Sequence, residues 1–191
     1  MAITKLKALG VTDGTLTNTQ INASAAIASS KLGTIGADKM PTGSVIQTVS
    51  GSFNTQDDTT STTPVQIWAG LTITPQFSNS IIKIETVTYV VHRDYYDGFL
   101  QIYKNGSAIN ELKTVIRNAG HVGATDPSAV QMWYCPSWAM LWTLSAGGTS
   151  ALTYSVYAWT ANSAQAIYWN EAPNNSFQPT STMVLTEIAG S

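Results

Sequence analysis

Ser80-Ile81-Ile82-Lys83-Ile84-Glu85-Thr86-Val87-Thr88-Tyr89-Val90-Val91-His92 alternates. Ile82, Ile84 and Val90 share one face of an extended chain, and Lys83, Glu85 and Tyr89 share the other. Side chains in a strand alternate with period two, so the pattern predicts a half-buried β-strand over 80–92. Downstream, Asn105-Gly106 separates Phe99–Tyr103 from Ala108–Leu112. A type I′ turn needs φ > 0 at both central residues, and Asn-Gly meets that demand, so the two runs read as a hairpin.

Further strands are expected at 44–50, 64–74, 98–104, 108–117, 129–143, 151–160, 165–170 and 181–188. Gly147-Gly148 and Pro173-Asn174-Asn175 mark corners, and Gln56 to Thr63 is a polar loop or an irregular edge. Many short strands without a later helix predict a mainly β fold, a jelly-roll-like antiparallel β-sandwich over 44–191.

Composition agrees with a folded chain of unusual surface. The 191 residues are 43% apolar and 10% charged, well under the roughly 25% charged residues of an average soluble domain. Twenty-six Thr and nineteen Ser supply the polarity. Six Trp, eight Tyr and four Phe argue against disorder. A net charge of −2 without a basic run leaves no footprint for nucleic acid. No apolar run is long enough for a membrane span, and the N-terminal residues lack the apolar stretch of a signal peptide. The single Cys135 excludes an intrachain disulfide and reads as a buried small residue.

Residues 1–43 differ in texture. Ile21, Ala25, Ala28, Leu32 and Ile35 recur at spacings of four and three, a heptad seam. Thr17 to Gln20 fits a capping box, Ala23 to Leu32 favours helix, and Gly33 and Gly36 end it. So short a helix is marginal in isolation. It is expected as a helical neck that holds several chains together, behind an extended N-terminal arm, although one amphipathic helix lying on its own domain would show a similar pattern. Pro41 and Gly43 mark the boundary to the β-domain.

Ser24 to Leu32, followed by Lys39-Met40-Pro41-Thr42-Gly43-Ser44-Val45-Ile46-Gln47, resembles the neck of tail-fibre and related virion proteins of tailed bacteriophages, notably marine ones. Ile73 to Ile84, Tyr103 to Ile109, Thr149 to Val156 and Thr182 to Ile188 resemble the C-terminal β-sandwich of the same proteins. The resemblance implies a homotrimer in the virion, assembled in the host cytoplasm. A thin N-terminal part would attach to other virion proteins, and a head would project outward. The chain lacks a long shaft, so a short tail fibre, a fibre tip and a capsid-surface fibre all fit.

No catalytic constellation stands out: there is no P-loop, no dinucleotide fingerprint, no Gly-x-Ser-x-Gly elbow and no His-Glu-x-x-His. No cofactor and no metal site is expected, and the chain reads as a non-enzyme. A glycan-processing enzyme would need a carboxylate pair, and Glu85, Glu111, Glu171 and Glu187 are scattered. The densest functional cluster is His92-Arg93-Asp94-Tyr95-Tyr96-Asp97. Tyr faces can stack on a sugar while Arg and Asp fix its hydroxyls. The same residues would also make a polar turn with Arg93 paired locally, and Asp94 with Asp97 is an incomplete Ca²⁺ pattern. Trp169, Asn170, Glu171, Asn174 and Asn175 form a second candidate contact surface. Trp133, Tyr134, Trp138 and Trp142 read as packing residues in the core or about a trimer axis, with a ligand platform as the alternative.

Overall fold

The computed structural model describes residues 39–92, 97–116, 137–171 and 178–190. All belong to one compact unit, Ala37–Ser191. The arm and the neck residues Ile21, Ala25, Ala28, Leu32 and Ile35 lie outside the described residues.

Among the described residues, ten strands run in order: β1 (Val45–Phe53), β2 (Asp57–Thr59), β3 (Val65–Ile73), β4 (Ile81–His92), β5 (Gly98–Lys104), β6 (Ser107–Ile116), β7 (Ser137–Ser145), β8 (Leu152–Thr160), β9 (Ile167–Trp169) and β10 (Ser181–Ile188). One sheet is ordered β1-β10-β4-β9-β2, with β7 on the other side of β4, and the second is β3-β8-β5-β6. Every pairing is antiparallel. Four of the pairs nest: β5 with β6, β4 with β7, β3 with β8, β1 with β10. Each shell outward joins the other sheet.

The alternation of 80–92 holds. Ile82, Ile84 and Val90 are buried, while Lys83, Glu85 and Tyr89 are half-exposed. Met183 and Leu185 of β10 line up beside them, and Leu100, Ile102, Tyr154 and Val156 face them from the second sheet in one apolar core. Burying each such aliphatic side chain contributes about 1.5–3 kcal/mol, which holds the two sheets together as a β-sandwich. Asn105 (φ 50°) and Gly106 (φ 77°) turn the β5–β6 hairpin with two positive φ angles, as the sequence predicts.

Of the two alternatives for Gln56 to Thr63, a loop or an irregular edge, the structure shows the edge: β2 pairs with β9 at the end of the first sheet. The strand expected at 129–143 is described from Ser137 and continues to Ser145; 129–136 lies outside the described residues.

The sandwich has two distinct ends. Val45, Ile188, Ile81 and Ser145 align across the first sheet at one end, where Gly43 N donates to Ala189 O at 2.8 Å and Ala189 N to Ser44 O at 2.8 Å. The chain therefore enters and leaves this end together. At the other end lie the close of β4 and β6 and the start of β5, β7 and β10, as shown by Gly98↔Ile116, Tyr89↔Ser137 and Phe53↔Ser181.

Candidate functional site

Of the residues proposed from sequence, the described ones, His92, Asp97, Trp169, Asn170 and Glu171, belong to strand ends and junctions away from Gly43. His92 closes β4, its backbone paired with Ile167. Asp97 stands immediately before β5, half-buried, and its carbonyl accepts from Ala161 N at 2.7 Å. Arg93, Asp94, Tyr95, Tyr96 and Asn174 lie outside the described residues.

Trp169 is a correction. It is a strand residue of β9, paired with Asp57 and Val90 and only 5% exposed, so its ring offers no contact surface. Its position beside a Pro-Asn-Asn corner suggests a loop, but the short β9 fills the place beside β4 where β10 has not yet begun.

Asn170 is likewise interior, with no exposed surface and φ 51°. Its Nδ2 donates to Phe53 O (3.3 Å) and Thr55 O (3.2 Å), and its N–H to Tyr89 O (3.0 Å). Its Oδ1 accepts from Ser181 Oγ at 2.6 Å, and Ser181 Oγ in turn accepts from Tyr89 N at 3.0 Å. Gln178 Nε2 adds a bond to Asn54 O. Asn170 therefore closes the junction where β1 gives way to β2 and β9 to β10. Asn tolerates the left-handed region, and its amide satisfies carbonyls that no ladder bond reaches.

Sequence reasoning missed an aromatic row on the outer face of the second sheet. Phe99 stacks on Trp159 (5.1 Å between centroids, 22° between planes) and Tyr103 on Tyr157 (3.9 Å, 24°). The Lys113 amine lies 4.6 Å from the Phe99 centroid and 5.0 Å from that of Trp159. Gln101, buried between the pairs, donates to Ile109 O at 3.1 Å. Burial pushes the Tyr103 hydroxyl pKa up, and the neighbouring Tyr157 adds to it. The odd-numbered positions 99, 101, 103, 157 and 159 carried the signal, but it becomes visible only when β5 and β8 are known to pair. The row begins at Phe99, two residues from Asp97, which brings rings and an amine to the margin of the candidate end.

The buried Glu187 has a structural place. Oε1 accepts from Gln76 N (2.7 Å), Phe77 N (3.3 Å) and Ser80 Oγ (2.6 Å), and Oε2 from Gln47 Nε2 (2.6 Å). Burial alone would raise its carboxyl pKa, but these four donors outweigh that effect and hold it below the ordinary value. No group of three or more metal-ligating side chains occurs among the described residues.

No family model matches the chain, and no curated protein does. Among solved structures, the crystal structure of the infectious bursal disease virus VP2 subviral particle aligns with 84% of this chain at 14% identity. The chain spans 42% of that protein's length, and the TM-score of 0.27 is too low to carry an argument.

Proposed function

We propose that the chain is a virion structural protein of a tailed bacteriophage, a short tail fibre or fibre tip. Three copies are joined by the N-terminal neck, and each head meets a host surface glycan. The observation that carries this reading is the polarity of the sandwich. The chain enters beside its own C-terminus, and the strand ends flanking 93–96 stand at the opposite end. A head attached through its N-terminal side thus turns the close of β4 and the start of β5 away from the particle. The nested strand pairs support a jelly-roll reading of the sandwich. The charge-poor, Thr/Ser-rich composition suits a protein that spends its working life among copies and partners. Three weak sites acting together exceed the affinity of one by orders of magnitude.

Gold-labelled antibody against the head, imaged on purified particles, tests the location. Label at the tail supports the fibre reading, and label over the capsid overturns it in favour of a capsid decoration protein. Light scattering of the full chain tests the trimer, which requires three times the 20.4 kDa chain mass. Binding to purified host surface glycan, lost in an Arg93→Ala/Asp97→Ala variant, tests the contact.

A further inference from the structure

β7 is an unusual sheet edge. It pairs with β4 from Ile81↔Ser145 to Tyr89↔Ser137 without a register shift, and β4 is its only partner among the described strands. Natural edges carry a charge, a proline or a bulge that discourages further pairing. The other edges here comply. β1 has a register shift between Val45 and Gln47, and β3 has two. β6 carries Glu111 and Lys113, and β2 carries Asp57 and Asp58. β7, Ser-Trp-Ala-Met-Leu-Trp-Thr-Leu-Ser, has none of these. It also exposes Leu141 (63%) and Trp142 (41%).

Its side chains are ordered to accept themselves. Antiparallel pairing about Leu141 sets that residue against the partner subunit's Leu141, and Met140 against the partner's Trp142. Ala139 meets the partner's Thr143. No like charges are brought together. Lys83 and Glu85 on β4 already pair at 3.0 Å, and at the end of β7 the Lys104 amine donates to Ser145 O at 3.4 Å, away from Leu141 at the strand's centre. The backbone has the right phase. Tyr89 O faces Asn170 N, on the side of β4 away from β7, so even-numbered residues of β4 bond toward β7. On β7 the odd-numbered residues, with Leu141 at the centre, then turn N–H and C=O outward. A groove of about 360 Å³ lies across β10, β4 and β7, lined by Val184, Glu85, Val87, Ala139 and Leu141, so Leu141 borders it from the edge strand.

We infer that β7 is a self-association edge: two copies of this chain pair β7 to β7 across a two-fold axis, making one continuous sheet. A single strand covers less than the roughly 800 Å² per partner of a standard interface, so the contact is weak and concentration-dependent. It is separate from the neck. The mass of the smallest species tests the trimer reading, and only the growth of mass with concentration tests this one.

The full chain should be followed by light scattering from about 1 to about 100 µM, the range in which a weak contact of this kind populates. The weight-average mass should climb across that range toward twice that of the smallest species. Leu141→Lys sets two ammonium groups face to face and should weaken association at least about tenfold, with an unchanged circular-dichroism spectrum. Val115→Lys, an exposed apolar position on β6, should associate as the parent does. In a Cys135→Ala background, oxidised Leu141→Cys should give a covalent pair, since hydrogen-bonded partners stand about 5.5 Å apart at Cα. Ser50→Cys should not. A constant parental mass, or association by Leu141→Lys equal to the parent's, overturns the inference.

Discussion

The Ser181 hydroxyl donates to Asn170 Oδ1 at 2.6 Å inside the first sheet, where the chain would otherwise leave a gap between β9 and β10. This one bond orients the Asn170 amide so that its Nδ2 reaches Phe53 O and Thr55 O.

Asn170→Ala should therefore destabilise the head by about 1–3 kcal/mol, because it strands the buried Ser181 hydroxyl and two part-buried carbonyls. Asn170→Gly keeps the positive φ and isolates the loss of the amide. Urea unfolding at neutral pH measures both, and amide exchange should show β2 and β9 opening before the core.

Glu187→Gln should cost about 2–3 kcal/mol at pH 7, since a neutral amide replaces a carboxylate that accepts four bonds, and its NH₂ meets donors. The pH dependence follows from the direction of the shift. The folded carboxyl lies below its ordinary value of 4.5, so the folded state favours the charged form. Its stabilisation is complete above the ordinary value and is lost as pH falls through the folded value. The gap between parent and variant should be full at pH 7 and shrink in unfolding measurements below about pH 4.5.

Gly70→Ala should be among the most damaging changes to the second sheet. Gly70 has φ 80° in the irregular middle of β3, and a Cβ there would lie 1.6 Å from the carbonyl oxygen of Tyr154. Either the bulge or β8 must move, at an expected cost of about 3 kcal/mol or more. Thermal unfolding reads it directly.

Tyr154→Phe should be neutral or stabilising by up to about 1 kcal/mol. The Tyr154 hydroxyl is fully buried without a hydrogen-bond partner among the described residues, and burial pushes its pKa up to about 12. Deleting it removes an unrewarded desolvation while keeping the ring in the core. A loss above 1 kcal/mol in urea unfolding would contradict this.

Several local features were legible in the residues because their causes are local. Period-two burial at Ile82, Ile84 and Val90, and positive φ at Asn105-Gly106, are demands that neighbours in sequence impose on one another. The candidate end was legible only in part. His92 and Asp97 flank a strand junction as expected, whereas Trp169 and Asn170 look like a polar loop and are interior. Nothing local distinguishes an exposed Trp from one covered by a strand far away in the chain.

The sequence by itself determined the strands, the hairpin turn and the low-charge surface, since backbone sterics and side-chain alternation act over a few residues. Only the tertiary structure decided which strands pair. It brought Phe99 to Trp159, Glu187 to Ser80, and Asn170 to Phe53, contacts across 60, 107 and 117 positions. Among the described strands it also left β7 with β4 as its one partner. These outcomes depend on how apolar faces are shared between two sheets, and that choice belongs to the whole chain at once.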